Sequence, residues 1–353
     1  MSETSIRTLV VDDSVFMRTI LKSALSKAPN IEVVGTAQNG TEALEKIAKL
    51  KPDVVTLDIE MPGLTGLEVL ARVMKDDPLP IVMVSTKTQE GAEMTFEALE
   101  LGAFDYVAKP LADKNASLEK FRSRVVETVR QAFASNRSRL GARGTPRIMR
   151  PRSGAIQTDG LVVAIGISAG GPATLHRMIP LLPKEFPPVV LTQHMPADFT
   201  GPFAKRLDGV SKLNVREAKS GDVLEPGTLL LAPGRGHLRL RRRGDRVVAA
   251  IDEGAKVSGF QPSVDVLFES VAKTFGSDAV GIVMTGMGCD GADGIRALRK
   301  AKAQTLAQDQ ESCIVYGMPK AAAETGCVDH VVSLTEIPDA LVRSIQAIGA
   351  VNA

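Results

Sequence analysis

The sequence predicts an α/β protein of two domains, each built on a mainly parallel sheet, and three observations carry that reading. The chain has 353 residues, more than one compact core usually organises. Short β-branched runs alternate with amphipathic segments from Ile6 onward, and the alternation resumes after residue 160. In both parts, acidic, hydroxyl, basic or imidazole side chains follow directly on the strand-like runs, where the carboxyl ends of parallel strands gather a site.

Bulk composition excludes several classes. Hydrophobic residues make up 44% and charged residues 24%, ordinary values for a globular chain with enough apolar mass for two cores. A net charge of +2, from 43 basic and 41 acidic residues, gives no global attraction to nucleic acid or to a membrane surface. With no Trp and two Tyr, base-stacking platforms are not expected. Cys289, Cys313 and Cys327 are odd in number and form no CxxC, which argues against a disulfide framework or a zinc knuckle. The opening MSETSIRTLVVDDS lacks the basic flank and apolar stretch of a signal peptide. No apolar run nears the ~18 residues of a membrane span, so the expected compartment is the cytoplasm.

In the first third, the strand-like pieces are 7–11, 31–36, 54–57, 81–85 and 105–108. Helix-like pieces such as 15–24 and 40–49 lie between them, the latter with Ala43, Leu44, Ile47 and Leu50 at helical spacing. Asp12 and Asp13 follow the first strand and Asp58 ends the third, so three carboxylates converge on one sheet edge. Clustered carboxylates repel, and a hard divalent cation such as Mg²⁺ relieves them. Ser85 ends the fourth strand and Lys109 the fifth. That set can hold a phosphoryl group, with Asp58 as acceptor and Lys109 and the metal neutralising charge. Each acid alone could cap a helix or turn a loop; the whole set at successive strand ends is poorly explained that way.

These blocks, the Asp12-Asp13 pair, D-I-E-M-P-G around Asp58, Ser85-Thr86 and Lys109-Pro110, resemble the response-regulator receiver family over residues 1–125. The resemblance implies a flavodoxin-like, five-stranded parallel sheet and phosphorylation of Asp58 by a partner histidine kinase. It implies Mg²⁺ bound by Asp13 and Asp58, helped by Asp12 and the backbone carbonyl of Glu60. Ser85 and Tyr106 would be the switch pair, Ser85 standing where many receivers have Thr.

Residues 126–158 read as a linker. Leu118, Phe121, Val125 and Val129 keep helical spacing, so the last receiver helix is expected to run into it. Beyond, Arg137, Arg139, Arg143, Arg147, Arg150 and Arg152 stand among Gly, Pro and Ser, the composition of a flexible, solvated connection. Contact of this cluster with an acidic partner or membrane headgroups is the alternative.

The remaining stretch is too long and too rich in strand–loop–helix alternation for a small DNA-binding helical module. Its best groove-binding candidate, Arg239–Arg243, is bracketed by Gly234, Gly236 and Gly244 and reads as a strand end with an exposed turn. The buried-strand run Leu161–Ile165 leads into Gly166-Ile167-Ser168-Ala169-Gly170-Gly171, and then into a helix. A serine in a glycine-flanked turn between strand and helix presents its hydroxyl near the helix N–H groups; an N-cap serine would look the same. His194 ends the strand run Val189–Gln193 before a proline turn. The other histidines read as bystanders, His176 in a helix, His237 in an Arg/Gly loop and His330 near a late strand start. The last block, Ala279–Gly291, places Asp290 after a strand. It also spells GxGxxG through Gly286, Gly288 and Gly291, with Asp309 where a ribose-binding acid would be sought, so dinucleotide binding is the sharpest rival. Asp290 inside that loop would face a pyrophosphate, whereas it suits a Ser168–His194–Asp290 relay of nucleophile, base and orienting acid. The order Ser, His, Asp disfavours the α/β-hydrolase fold.

The blocks IGISAGGP, TQHMP, QPSVDVLF and MTGMGCDGADG resemble the catalytic domain of the chemotaxis protein-glutamate methylesterases over residues 159–350. The resemblance implies a doubly wound α/β catalytic domain and the triad Ser168, His194 and Asp290, with an oxyanion contribution from the Met287 backbone. It implies hydrolysis of γ-glutamyl methyl esters on methyl-accepting chemoreceptors, deamidation of receptor glutamines in several members, and no cofactor for the esterase. A membrane would be met only indirectly, through the receptors. Ala169 and Cys289 stand where other members carry Thr and a polar residue. A scaffold with a decayed site is the third reading; the intact Ser, His and Asp speak against it.

Overall fold

Two parallel sheets organise the chain, each in its own unit of a computed structural model that describes residues 5–86, 88–110, 115–135 and 158–352. The arginine cluster at 137–152 lies outside the described residues.

The first unit runs β1 (Ile6–Val11), α1 (Val15–Ser26), β2 (Ile31–Ala37), α2 (Gly40–Leu50), β3 (Val54–Asp58), α3 (Gly66–Asp76), β4 (Ile81–Ser85), α4 (Gln89–Glu100), β5 (Asp105–Ala108) and α5 (Asn115–Ala134). Its sheet has the order β2-β1-β3-β4-β5, with every pair parallel. Leu9–Val11 and Ile81–Val84 are fully buried, as expected of strands covered by helices on both faces. Helix starts are set locally. Ser14 caps α1 through Met17 N–H, and Thr65 and Glu68 form a capping box on α3. The strands therefore stop where the carboxylates and Ser85 begin. Helix α5 runs to Ala134.

The second unit runs β6 (Val162–Ile167), α6 (Gly171–Met178), β7 (Val189–Gln193), α7 (Ala197–Val210), β8 (Asn214–Glu217), β9 (Thr228–Leu231), β10 (His237–Arg243), β11 (Arg246–Asp252) and α8 (Val264–Phe275). It continues β12 (Ala279–Val283), α9 (Ala292–Lys300), β13 (Gln304–Gln308), α10 (Met318–Glu324), β14 (His330–Val332) and α11 (Ile337–Asn352). Seven parallel strands form the order β14-β13-β12-β6-β7-β9-β8. The chain leaves β6 toward β7 on one side, while β12 lies on the other. β6 is thus the switch point where a doubly wound sheet opens a crevice at its carboxyl edge.

Strands β10 and β11 form a separate antiparallel hairpin. Leu238 and Leu240 of this hairpin join Val264, Leu267, Phe268 and Val271 of α8 in the core cluster. Arg239–Arg243 lies on β10, with Arg241, Arg242 and Arg243 exposed at its end. His237 corrects the sequence reading. It is the first residue of β10 and is buried, not part of an exposed loop. The reason is the hairpin itself, which folds its apolar face onto α8 and carries His237 in with Leu238.

Candidate active site and acidic pocket

In the first unit, the ends of β1 and β3 bring Asp12, Asp13 and Asp58 together, with one oxygen of each within 4.8 Å of the others. Lys109 Nζ lies 2.7 Å from Asp58 Oδ2 and 3.1 Å from Asp12 Oδ2. Burial pushes the Asp58 carboxyl up to about 6, with the Asp12 charge adding to it and Lys109 opposing. Asp12 is raised for the same first reason. Burial works against the Lys109 ammonium, but Asp58 and Asp12 outweigh it and hold its pKa above the ordinary value. Asp12 Oδ2 is buried and has only the Lys109 ammonium beside it. An all-oxygen set of three carboxylates facing a single ammonium fits a hard divalent cation such as Mg²⁺. Asp13 and Glu60 also line an adjoining cleft of about 430 Å³.

Ser85 ends β4, and Ala108, two residues beyond Tyr106, is its register partner on β5. The hydroxyls of Ser85 and Thr95 are 2.7 Å apart, and each lies within hydrogen-bond reach of the Gly91 carbonyl, at 3.1 and 2.6 Å. Thr95, on α4, was not singled out from the sequence. Tyr106 is buried, and burial raises its phenol pKa.

In the second unit, register fixes which residues meet. Ile167 pairs with Gln193 across β6 and β7, so Ser168 and His194 occupy the next step of that pair. Gly166 pairs with Val283, which puts the loop after β12 on the other side of Ser168. Ser168 N–H donates to the Thr285 carbonyl at 2.9 Å, and the Ser168 carbonyl accepts from Gly171 N–H and Gln193 Nε2 at 2.8 and 2.9 Å. Gly170 takes φ +73° at the start of α6, a turn that favours glycine. The Gly286 carbonyl accepts from Gly317 N–H (3.0 Å) and Met318 N–H (2.8 Å) at the start of α10. In a trans peptide this turns the Met287 N–H away from α10.

His194 Nε2 lies 2.7 Å from Asp290 Oδ2. Asp290 is fully buried and takes three more donors, Val264 N–H at 2.7 Å, Ser263 Oγ at 2.8 Å and Asp265 N–H at 3.1 Å. Burial alone would raise its pKa. The His194 hydrogen bond and charge, with the two backbone donors, reverse that and hold it at about 2. An ionised acceptor on Nε2 makes that nitrogen the protonated one, leaving the Nδ1 lone pair available. Nδ1 is buried and has no hydrogen-bond partner, so the structure does not join Ser168 to His194 by the hydrogen bond expected of a relay. Such contacts are often long until substrate closes the site.

The family profile described as CheB methylesterase matches residues 163–341, and the response regulator receiver domain matches residues 8–120. The chain belongs to the CheB methylesterase family. A protein-glutamate methylesterase/protein-glutamine glutaminase of Caulobacter vibrioides is 49% identical over 336 residues, covering 94% of this chain and 96% of that one. One of the same name from Pyrococcus abyssi is 42% identical over 347 residues, covering 97% and 94%. The crystal structure of the Thermotoga maritima CheB methylesterase catalytic domain aligns at 38% identity with TM-score 0.52, over 53% of this chain and 99% of that chain.

Within this CheB-type fold the glycine-rich rival has a physical answer. Gly286, Gly288 and Gly291 do precede helix α9, but the N–H groups of Gly291 and Gly294 at its start both donate to Asp265 Oδ1, at 2.8 Å each. The N–H groups that would seat a phosphate at that helix are thus taken by the protein's own Asp265 side chain. Asp309 turns a local loop through Ser312 N–H at 2.7 Å. Around Ser168, His194 and Asp290 stand further residues that sequence reasoning did not single out. They are Gln193, Phe260, Ser263 and Asp265, together with His237, whose Nδ1 accepts from Ser263 N–H at 3.1 Å. The one available signal was Ser263 before the apolar run Val264–Phe268, an N-cap pattern inside the QPSVDVLF block.

Proposed function

We propose that this chain is a chemoreceptor protein-glutamate methylesterase, and also a glutaminase on receptor glutamines, with Ser168 as nucleophile, His194 as base and Asp290 as orienting acid. The supporting observation is the His194–Asp290 contact of 2.7 Å, with Nδ1 left open one register step from Ser168. Nδ1 takes the Ser168 proton as Oγ attacks the ester carbonyl, and the Met287 N–H supports the developing oxyanion. Collapse of the adduct breaks the bond to the methoxy group, which leaves as methanol with the proton held on Nδ1. Water then gives a proton to the imidazole as it attacks the acyl carbon, and the bond to Ser168 Oγ breaks as Oγ takes that proton back, which releases the glutamate. On a glutamine the same steps expel ammonia.

Control comes from the first unit, residues 1–125, joined through residues 126–158 to the esterase unit, residues 159–350. Asp58 accepts a phosphoryl group from a histidine kinase, with Lys109 beside it, and Ser85 and Tyr106 carry the switch. Asp13 and Asp58, with Asp12 and the Glu60 carbonyl, would hold Mg²⁺, which supplies neutralising charge for the phosphoryl oxygens. Among the described residues no helix is long and apolar enough to cross a membrane, which suits a cytoplasmic enzyme meeting its receptors at the membrane face.

The test is methanol release from methylated receptors, with and without Mg²⁺ and a small phosphodonor. Release should be abolished in Ser168→Ala, and stimulation should be lost in Asp58→Asn. Turnover by Ser168→Ala would remove the triad reading, and stimulation of Asp58→Asn would remove the acceptor assignment.

A further inference from the structure

One face of the His194 imidazole is covered by a side chain that the triad does not use. The Phe260 ring lies parallel to it, with centroids 3.9 Å apart and an interplanar angle of 5°. A tight turn delivers this ring. Val257 and Phe260 exchange both backbone hydrogen bonds, at 3.0 and 2.9 Å. Between them, Ser258 and Gly259 have φ of +52° and +84°, the arrangement of a type I′ turn. Three residues on, Ser263 reaches Asp290 at 2.8 Å. The segment 257–263 therefore touches both members of the His194–Asp290 pair. The ring edge also borders the loop after β12, since a Cβ on Gly288 would stand 3.9 Å from it.

We propose that Phe260 is a positioning residue for His194, an inference that rests on the triad reading. Asp290 restrains the imidazole at Nε2 alone, and the second side-chain torsion of histidine has a broad well. Among the described residues Nδ1 has no hydrogen-bond partner. A parallel aromatic face removes the remaining tilt and keeps Nδ1 in one plane. When Nδ1 takes the serine proton, the imidazolium stands over the ring's negative face. Both contributions grow after substrate is bound, so they act on kcat rather than KM.

The test uses the full chain, phosphorylated, on methylated receptors. Phe260→Leu keeps apolar cover but no π face, and kcat should fall about three- to tenfold with KM unchanged, by the usual strength of an aromatic pair. Phe260→Tyr should restore kcat to within about twofold of the parent. Parental kcat in Phe260→Leu, or a change confined to KM, overturns the proposal. Phe260 is half-buried in a turn, so neither variant empties the core. A second measurement needs no variant at Phe260: ring-current shielding should place the His194 ring protons upfield of those of His176, His237 and His330, assigned by difference from His194→Gln. Unshielded His194 protons also overturn it. Ser168→Ala separates the readings. Turnover there defeats the triad, whereas a dead Ser168→Ala beside a parental Phe260→Leu defeats the positioning role alone.

Discussion

Asp265 and Asp290 each cap the helix that the other one's segment begins. Asp290 precedes α9 but accepts N–H groups of Val264 and Asp265 at the start of α8, at 2.7 and 3.1 Å. Asp265, in the first turn of α8, accepts those of Gly291 and Gly294 at the start of α9, at 2.8 Å each. Two helix N-termini thus hold two carboxylates in place. The carboxylate facing His194 cannot shift without uncapping a helix, which is the preorganisation a general-base site requires.

The two acids titrate in opposite directions. Burial, opposed by the Gly294 N–H but aided by the Asp290 charge, pushes Asp265 up to about 7. Its contribution to stability is therefore complete below the unfolded value of 3.8 and is lost as pH rises through about 7. An amide in place of the acid keeps an oxygen for Gly291 and Gly294 without the buried charge. Asp265→Asn should remove the pH dependence of hydrogen exchange in residues 286–296 between about pH 4 and pH 7. Asp265→Ala, which orphans both N–H groups, should weaken protection there by about 1–3 kcal/mol. Parallel pH curves for the parent and Asp265→Asn would show that Asp265 does not hold the proton.

Asp290→Asn separates charge from geometry. The side chain accepts at both oxygens, so whichever way the amide turns, its NH₂ meets a backbone N–H, that of Val264 or of Asp265. The orientation that keeps oxygen on Val264 also keeps it on His194, and the tautomer survives while the counter-charge is lost. Methanol release should fall by about 10²–10⁴-fold. The same variant loses the acid-limb stability of the parent, which is present above 3.8 and disappears as pH falls through about 2. Exchange measured below pH 4 checks that sign.

What was legible in the sequence follows from periodicity. Strands β1, β3 and β4 are short, largely buried runs that stop at a residue of different chemistry, so Asp12, Asp58 and Ser85 announce themselves. Ser168, His194 and Asp290 do the same at β6, β7 and β12. What was not legible is coupling across distance. Ser263 and Asp265 act on residues about 25 positions away, and no local pattern encodes which helix a carboxylate will cap. His237 looked like a loop residue because flanking glycines and arginines hid a hairpin whose first strand gives the core only Leu238 and Leu240. Thr95 sits inside α4, where a hydroxyl pointing at Ser85 has the same sequence signature as a helical surface position. The GxGxxG spelling misled for the converse reason. Gly288 and Gly291 take φ of +84° and +101° to turn the chain, a backbone need that does not depend on a nucleotide.

Gly286 supplies a way to disturb Ser168 without changing any residue of the proposed relay. It lies in the loop after β12, three residues past Val283, and a Cβ there would collide with the Met318 sulfur and come within 2.7 Å of Ser168 Cβ and 3.1 Å of Ser168 N. Met318 can swing aside, being flexible, although it is fully buried and would take its packing with it. Ser168 cannot, because its N–H and carbonyl are both fixed, to Thr285 and to Gly171 and Gln193. The added methyl should therefore cost about 1–3 kcal/mol of stability by overpacking. It should also displace Ser168 by a few tenths of an ångström, since the β12 loop is held to α10 through the Gly286 carbonyl. A misplacement of that order, with the oxyanion peptide 286–287 moved as well, should lower kcat by about tenfold or more while KM changes little. Gly209, on the exposed face of α7, has no heavy atom within 4 Å of its Cβ position and serves as the matched control. Gly209→Ala should leave methanol release at the parental rate, and equal losses in the two variants would mean that the contact at Ser168 is not the cause.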